Sequence, residues 1–258
     1  MATIPAPNAP PRPPAVGVEV ARLVYDRTVL FEDLSVTFEA GRLTCLLGPS
    51  GVGKTSLLRL VAGLAPAGEE GRVRCDDGGP APGRIAYMAQ SDLLLPWLSA
   101  LDNVLLGPRL RGEPAPTDAA RALLARFGLA GHEHARPAAL SGGMRQRVAL
   151  ARTLLEDRPI VLMDEPFSAL DAITRTRLQD LAVAALRGRT VLMVTHDPLE
   201  ALRIADRILV MAGRPATVGE SLVPPGPPPR ALGAPDIAAL YGDLMRRLTA
   251  ADTLEMRP

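Results

Sequence analysis

The stretch Gly48-Pro49-Ser50-Gly51-Val52-Gly53-Lys54-Thr55 constrains this chain more than any other. It follows the apolar run Leu43-Thr44-Cys45-Leu46-Leu47 and precedes the helical pattern Ser56-Leu57-Leu58-Arg59-Leu60. Strand, glycine loop and helix therefore come in the order that a phosphate cradle requires. Glycine permits left-handed backbone angles and close approach, so successive N–H groups can turn inward onto anionic oxygens. The helix that opens near Lys54 and Ser56 adds its positive end to the same spot. Lys54 brings a compact ammonium for terminal phosphates, and Thr55 a hydroxyl for a magnesium ion. Of the 29 Lys and Arg residues, Lys54 is the only lysine. Elsewhere positive charge comes from arginine, whose planar guanidinium is too bulky for this one position.

A chain of 258 residues with 47% hydrophobic and 22% charged residues can bury one sizeable core, with room for a subdomain. A formal charge of +1 gives no bulk attraction to nucleic acid or anionic lipid, so no nucleic-acid partner is expected. No apolar run reaches membrane-spanning length, and no charged-then-apolar signal segment opens the sequence. The expectation is a cytoplasmic protein able to dock on a membrane partner. Cys45 and Cys75 lack metal or redox spacing, and Cys45 reads as a small buried hydrophobe.

Six prolines in residues 1–15 predict a mobile tail. From Val16 apolar residues alternate (Val16, Val18, Val20, later Leu34, Val36, Phe38), which predicts antiparallel strands with one solvated face. Tyr25 is either a core aromatic or a ring set beside a purine. Residues 63–83, rich in Gly, Pro and charge, read as a hairpin or loop region. Residues 84–88 form a short buried strand running to Gln90, and residues 91–156 change character and read mainly as helices. Within them, Asp118 to Phe127 is amphipathic and stopped by Gly128. His132, Glu133 and His134 have no third ligand nearby and read as a solvated turn. Strand and helix patterns then alternate again: Ile160-Val161-Leu162-Met163 ends at Asp164-Glu165, and residues 190–195 end at His196. Fully apolar strands with intervening helices imply a parallel sheet covered on both faces. Polar residues at the carboxyl ends of such strands face the ligand crevice. Gly48, Gln90, Asp164, Glu165 and His196 all fall there. Residues 224–229 read as a stiff proline linker, and Ile237, Leu240, Tyr241, Leu244 and Leu248 as a small amphipathic helix. That helix either packs on the body or meets a partner.

An acidic residue at a strand end opposite a phosphate loop holds magnesium, a role that suits Asp164 directly or through water. Glu165 is placed to polarise a water, and His196 to hydrogen-bond the same reacting groups. Leu140-Ser141-Gly142-Gly143-Met144-Arg145-Gln146-Arg147 opens a long helix with a serine cap and bare glycine N–H groups, a second anion site in a chain with one phosphate loop.

Taken together, residues 48–55, Gln90, 140–144, 160–165, Ser168-Ala169-Leu170-Asp171 and His196 resemble the ATP-binding subunits of ATP-binding cassette transporters, over about residues 16–211. The resemblance implies an α/β P-loop NTPase fold in which a mostly parallel sheet carries an antiparallel β-subdomain and an inserted α-helical subdomain. The cassette is expected over residues 16–222, with the helical insert at about 91–156 and the linker with its helix at 223–258. It implies that Tyr25 stacks on adenine, that Gln90 senses magnesium, and that two copies sandwich ATP. Ser141, Gly142 and Gly143 then face the loop of the second copy, and Asp171 lines that interface. Met144 departs from the glutamine many relatives carry, and altered tuning is the expected effect. Leu94-Leu95-Pro96-Trp97 after Gln90 is similar to importers of nitrate, taurine, alkanesulfonates or thiamine pyrimidine precursors. This implies permease subunits docking at residues 93–98, a solute-binding protein upstream of them, and a place on the cytoplasmic face of the cell membrane. The alternatives are a soluble cassette ATPase without a transport role and a P-loop kinase. The kinase leaves Ser141 and Asp171 without a task.

Overall fold

The computed structural model describes residues 12–25, 28–65 and 71–255. Two sheets divide the strands. Strands β1 (Val16–Tyr25), β2 (Thr28–Phe38) and β4 (Arg72–Cys75) form an antiparallel sheet in the order β2-β1-β4. The other has six strands in the order β5-β6-β7-β3-β8-β9. These are β5 (Ile85–Met88), β6 (Ile160–Asp164), β7 (Thr190–Val194), β3 (Leu43–Leu47), β8 (Arg207–Ala212) and β9 (Thr217–Val218). All pair in parallel except β9.

Strands β3, β6 and β7 are buried along their whole length, which is why they read as continuous apolar runs. Their side chains still alternate between two cores. Cys45, Leu47, Val161 and Met163 join the helix-side core, while Leu46, Ile160 and Leu162 join the core shared with the antiparallel sheet, beside Phe31 and Phe38. Burying a leucine fully contributes roughly 1.5–3 kcal/mol, and Leu46 and Leu47 are both at 0% exposure. Burial also pushes the Cys45 thiol well above its usual range.

The helices are α1 (Lys54–Val61), α2 (Ala100–Val104), α3 (Leu106–Leu110), α4 (Thr117–Arg126), α5 (Gly142–Leu155), α6 (Ala172–Leu186), α7 (Pro198–Ile204) and α8 (Pro235–Glu255). Helices α2, α4 and α5, inserted in the chain between the paired strands β5 and β6, pack on one another as a helical layer.

Four differences from the sequence reading have physical causes. Residues 63–83 contain β4, an edge strand whose half-polar pattern Arg72-Val73-Arg74-Cys75 pairs with β1 on one side only. Pro14, placed in the tail, is buried, and its carbonyl accepts a hydrogen bond from Thr190 Oγ1 at 2.7 Å. Residues 1–11 of that tail lie outside the described residues. The C-terminal helix is no small element but runs for 21 residues, with Ile237, Leu244 and Ala251 buried against β8 and α7. The proline segment before it is tied down by Arg230. That guanidinium donates to the carbonyls of Pro225 (2.8 Å), Gly226 (3.0 Å), Pro224 (3.2 Å), Leu202 (3.2 Å) and Ala205 (2.7 Å).

Candidate nucleotide-hydrolysis site

The 48–55 loop leaves the end of β3 and enters α1 through a backbone that only glycine tolerates. Gly48 has φ 147°, Gly51 85° and Gly53 108°. A Cβ on Gly48 would stand 2.3 Å from the Met211 carbonyl oxygen, and one on Gly53 would stand 3.0 Å from the Phe31 ring. Val52 is the buried anchor of the loop. Lys54 Nζ donates to the carbonyls of Gly48 at 2.8 Å and Pro49 at 2.6 Å, which curls the loop around its own ammonium.

The neighbouring strand ends bring the acidic groups. Met88, Met163 and Met193 stand in register across β5, β6 and β7, so these strands finish together beside the loop. Asp164, the last residue of β6, is 2% exposed and accepts a hydrogen bond from Thr55 Oγ1 at 2.8 Å. Burial pushes its carboxyl above the usual range, the Thr55 bond pulls it back, and the Glu165 charge adds to the rise.

Glu165 adopts φ 48°, uncommon for a residue with a side chain. Its carboxylate meets two groups from separate strand ends. His196 Nδ1 approaches Oε1 at 3.2 Å, and Gln90 Nε2 donates to Oε2 at 3.5 Å. A cleft of ≈ 310 Å³ is lined by Ser50, Lys54, Thr55, Ser56, Gln90, Asp164 and Glu165, among others. The side chain of Tyr25 lies outside the described residues. Its backbone pairs with Thr28, which with Gly51 and Val52 lines an adjacent recess.

Ser141, Gly142, Gly143 and Asp171 do not line that cleft. Ser141 caps α5, its side chain accepting from Met144 N at 3.2 Å, and Ser141 and Gly142 are exposed. The first N–H groups of such a helix have no carbonyl of their own to meet. Gly143 packs closely on the neighbouring turn: a Cβ there would sit 3.2 Å from the Ala169 carbonyl oxygen. Asp171 caps α6 by accepting from Thr174 N at 2.9 Å, which holds its carboxyl below the usual range.

Three polar residues that sequence reasoning left without a role organise this region. Gln146 joins α5 to the turn after Glu165. Glu200 lies behind the His196 turn and accepts from Thr195 Oγ1 and from Gln179 Nε2 (3.0 Å). Asn103, fully buried, bonds Leu95 through both its amide oxygen (2.8 Å) and nitrogen (3.2 Å). Arg152 adds bonds to the carbonyls of Asp92 and Leu93. Held this way, the 92–98 stretch buries Leu94 but leaves Leu93 and Trp97 62% and 65% exposed. An amide or acid inside a helix gives no sequence signal of which loop it will reach.

His132, Glu133 and His134 sit in a turn whose Glu133 carbonyl accepts from Leu101 N of α2, and no cluster of three metal-capable side chains occurs among the described residues. Nor is any helix among them long and apolar enough to cross a membrane.

A glycine cradle on a strand end, a buried aspartate on the loop threonine and a glutamate held by a histidine define a P-loop nucleotide hydrolase. The particular family follows from comparison: the profile described as ABC transporter matches residues 31–168, and the chain belongs to that family as an ATP-binding, ATP-hydrolysing cassette. It is 46% identical to "Aliphatic sulfonates import ATP-binding protein SsuB 1" of Rhodococcus jostii over 88% of this chain and 91% of the relative. It is 41% identical to "Uncharacterized ABC transporter ATP-binding protein" of Haemophilus influenzae over 90% and 98% respectively. Among solved structures, the ATP-binding cassette MJ0796, in a dimeric post-hydrolysis state bound to ADP and Pi, superposes with a TM-score of 0.73. That alignment has 28% identity and covers 82% of this chain and 99% of the other.

Proposed function

We propose that this cassette powers an importer of a small solute, with aliphatic sulfonates the favoured class, by closing around two ATP molecules as a homodimer at the cytoplasmic face of the membrane. The observation that carries the dimer is the separation of two anion sites. The open start of α5 at Ser141, Gly142 and Gly143 lies outside the cleft of its own chain, so its donors serve a second copy. The sulfonate class rests on the identity to importer subunits of that name.

The residues present fit ATP and magnesium. A loop that admits no Cβ at Gly48 leaves its amides free to approach phosphate oxygens, and Thr55 with Asp164 offers the hard oxygen donors that Mg²⁺ takes. ATP would supply the phosphoanhydride to be broken, and Mg²⁺ would offset the charge on its phosphates. Lys54 and the 48–53 amides would hold the phosphates, and Gln90, which lines the same cleft as Thr55 and Asp164, would sense the metal. Glu165 accepts the proton of the attacking water, oriented by His196 and Gln90. Tyr25 stacks on the base beside the Thr28 recess. Asp171 meets the second copy. Leu93 and Trp97 form the apolar contact for a permease, which a solute-binding protein supplies.

The test is Glu165→Gln with MgATP. Loss of a positioned base costs about 10²- to 10⁴-fold in turnover, so ATP persists and a stable dimer is expected by light scattering. A protein that stays strictly monomeric with ATP bound contradicts the sandwich. For the solute, deletion of the gene is expected to abolish growth on an alkanesulfonate as sole sulfur source.

A further inference from the structure

Glu165 holds an uncommon left-handed backbone, φ 48°, at the position where the carboxylate is needed. Such a conformation persists only where the surroundings over-determine it. Here its N–H donates to Val194 O at 2.9 Å. Its carbonyl accepts from Ser168 N (3.3 Å), Ser168 Oγ (3.1 Å) and Gln146 Nε2 (3.0 Å). Gln146 is the one partner that comes from outside the strand ends and their turn, reaching in from α5. It is 6% exposed, its Nε2 also lies 3.3 Å from Ser168 Oγ, and its Oε1 accepts from Ala169 N at 2.9 Å. One side chain thus grips the turn from 165 to 169 at both ends. The glutamine amide carries its donor and its acceptor on separate atoms, so it serves Glu165 O and Ala169 N at once, and asparagine is a methylene shorter.

We propose that Gln146 is a positioning residue for hydrolysis: it fixes the Glu165 peptide so that the carboxylate stays aimed into the cleft between Gln90 and His196. The inference rests on Glu165 being the group that activates water. It also gives α5 a second task. The same helix that presents Ser141, Gly142 and Gly143 outward holds Glu165 inward, five residues along and one turn deeper. The close fit of Gly143 on the Ala169 carbonyl keeps the helix start and the turn moving as one body. Engagement of the helix start by the second copy therefore bears directly on the base of the first.

Two variants test this. Gln146→Leu removes both contacts. Gln146→Glu keeps the size and the acceptor for Ala169 N but removes the donor to Glu165 O, so it preserves the fold while breaking the link at issue. Steady-state ATP hydrolysis and binding of a fluorescent ATP analogue are measured for both, alongside Glu165→Gln. The expected result is a kcat about 10- to 100-fold lower, the cost of misplacing a reacting group by about 1 Å, with nucleotide affinity within about threefold of the parent. A Gln146→Glu protein with parental kcat overturns the proposal, and so does an affinity that falls in step with kcat. If Glu165→Gln itself turns over normally, the assignment of the base has failed. If Glu165→Gln is dead while the Gln146 variants are active, the positioning role alone has failed.

Discussion

The Glu200 side chain, 6% exposed, lies directly behind the His196 turn and anchors it through Thr195. Asp197 N donates to the same threonine oxygen at 3.1 Å, so both neighbours of His196 are held while the imidazole itself stays 66% exposed. Burial pushes the Glu200 carboxyl above its ordinary 4.5, only partly opposed by the Thr195 and Gln179 hydrogen bonds. The folded chain thus keeps a proton that the unfolded chain releases above 4.5. Its contribution to stability is full below that value and is lost as pH rises through the higher folded value. Glu200→Gln stays neutral throughout and retains a partner for both Gln179 and Thr195. Its stability relative to the parent is therefore expected to increase as pH rises above 4.5, read by urea unfolding at each pH. A constant difference across that range would show that Glu200 is ionised in both states. Lys54 and Asp164 are likewise buried polar groups held by hydrogen-bond partners at hand.

Among the elements, the proline segment before α8 is the one fastened by a single side chain. Arg230 is 8% exposed and satisfies five main-chain carbonyls from residues 202–226, joining the end of α7 to the segment that launches α8. Arg230→Leu leaves those carbonyls without their donor in a buried place. It is expected to cost about 2–3 kcal/mol, with faster amide hydrogen exchange across α8 and unchanged exchange in β3 and β6. Elements of this kind divide by legibility. β3, β6, β7 and α4 were readable because each shows one period over its full length, continuous in buried parallel strands and 3.6 in a surface helix. β4 was hidden because an edge strand buries a single face and its arginines look like loop. The last third of α8 was hidden because after Leu248 its large apolar positions thin to Leu254. The phosphate loop and the strand-end residues Gln90, Asp164, Glu165 and His196 were legible as a set, since each closes an apolar run. Gln146, Asn103, Glu200 and Arg230 were not, because a long polar side chain in a helix or linker declares its partner only after the chain has folded.

At the scale of the whole molecule, the two sheets and the helical layer place three surfaces on one body. The cleft sits at the strand ends, the open start of α5 lies apart from it, and Leu93 with Trp97 projects from the 92–98 stretch that Arg145 and Arg152 tie to α5. All three touch α5 or its immediate neighbours. A last consequence comes from the single lysine. Lys54 carries the only ε-ammonium in the chain, and it rests on the Gly48 and Pro49 carbonyls in a site that is 9% exposed. A protein grown with nitrogen-15 lysine therefore yields one side-chain resonance, with no assignment needed. Titration with nucleotide is expected to shift that lone signal as the ammonium exchanges carbonyl partners for phosphate, while inorganic salt at the same ionic strength leaves it in place. The rarest residue in the composition thus makes the loop its own spectroscopic reporter.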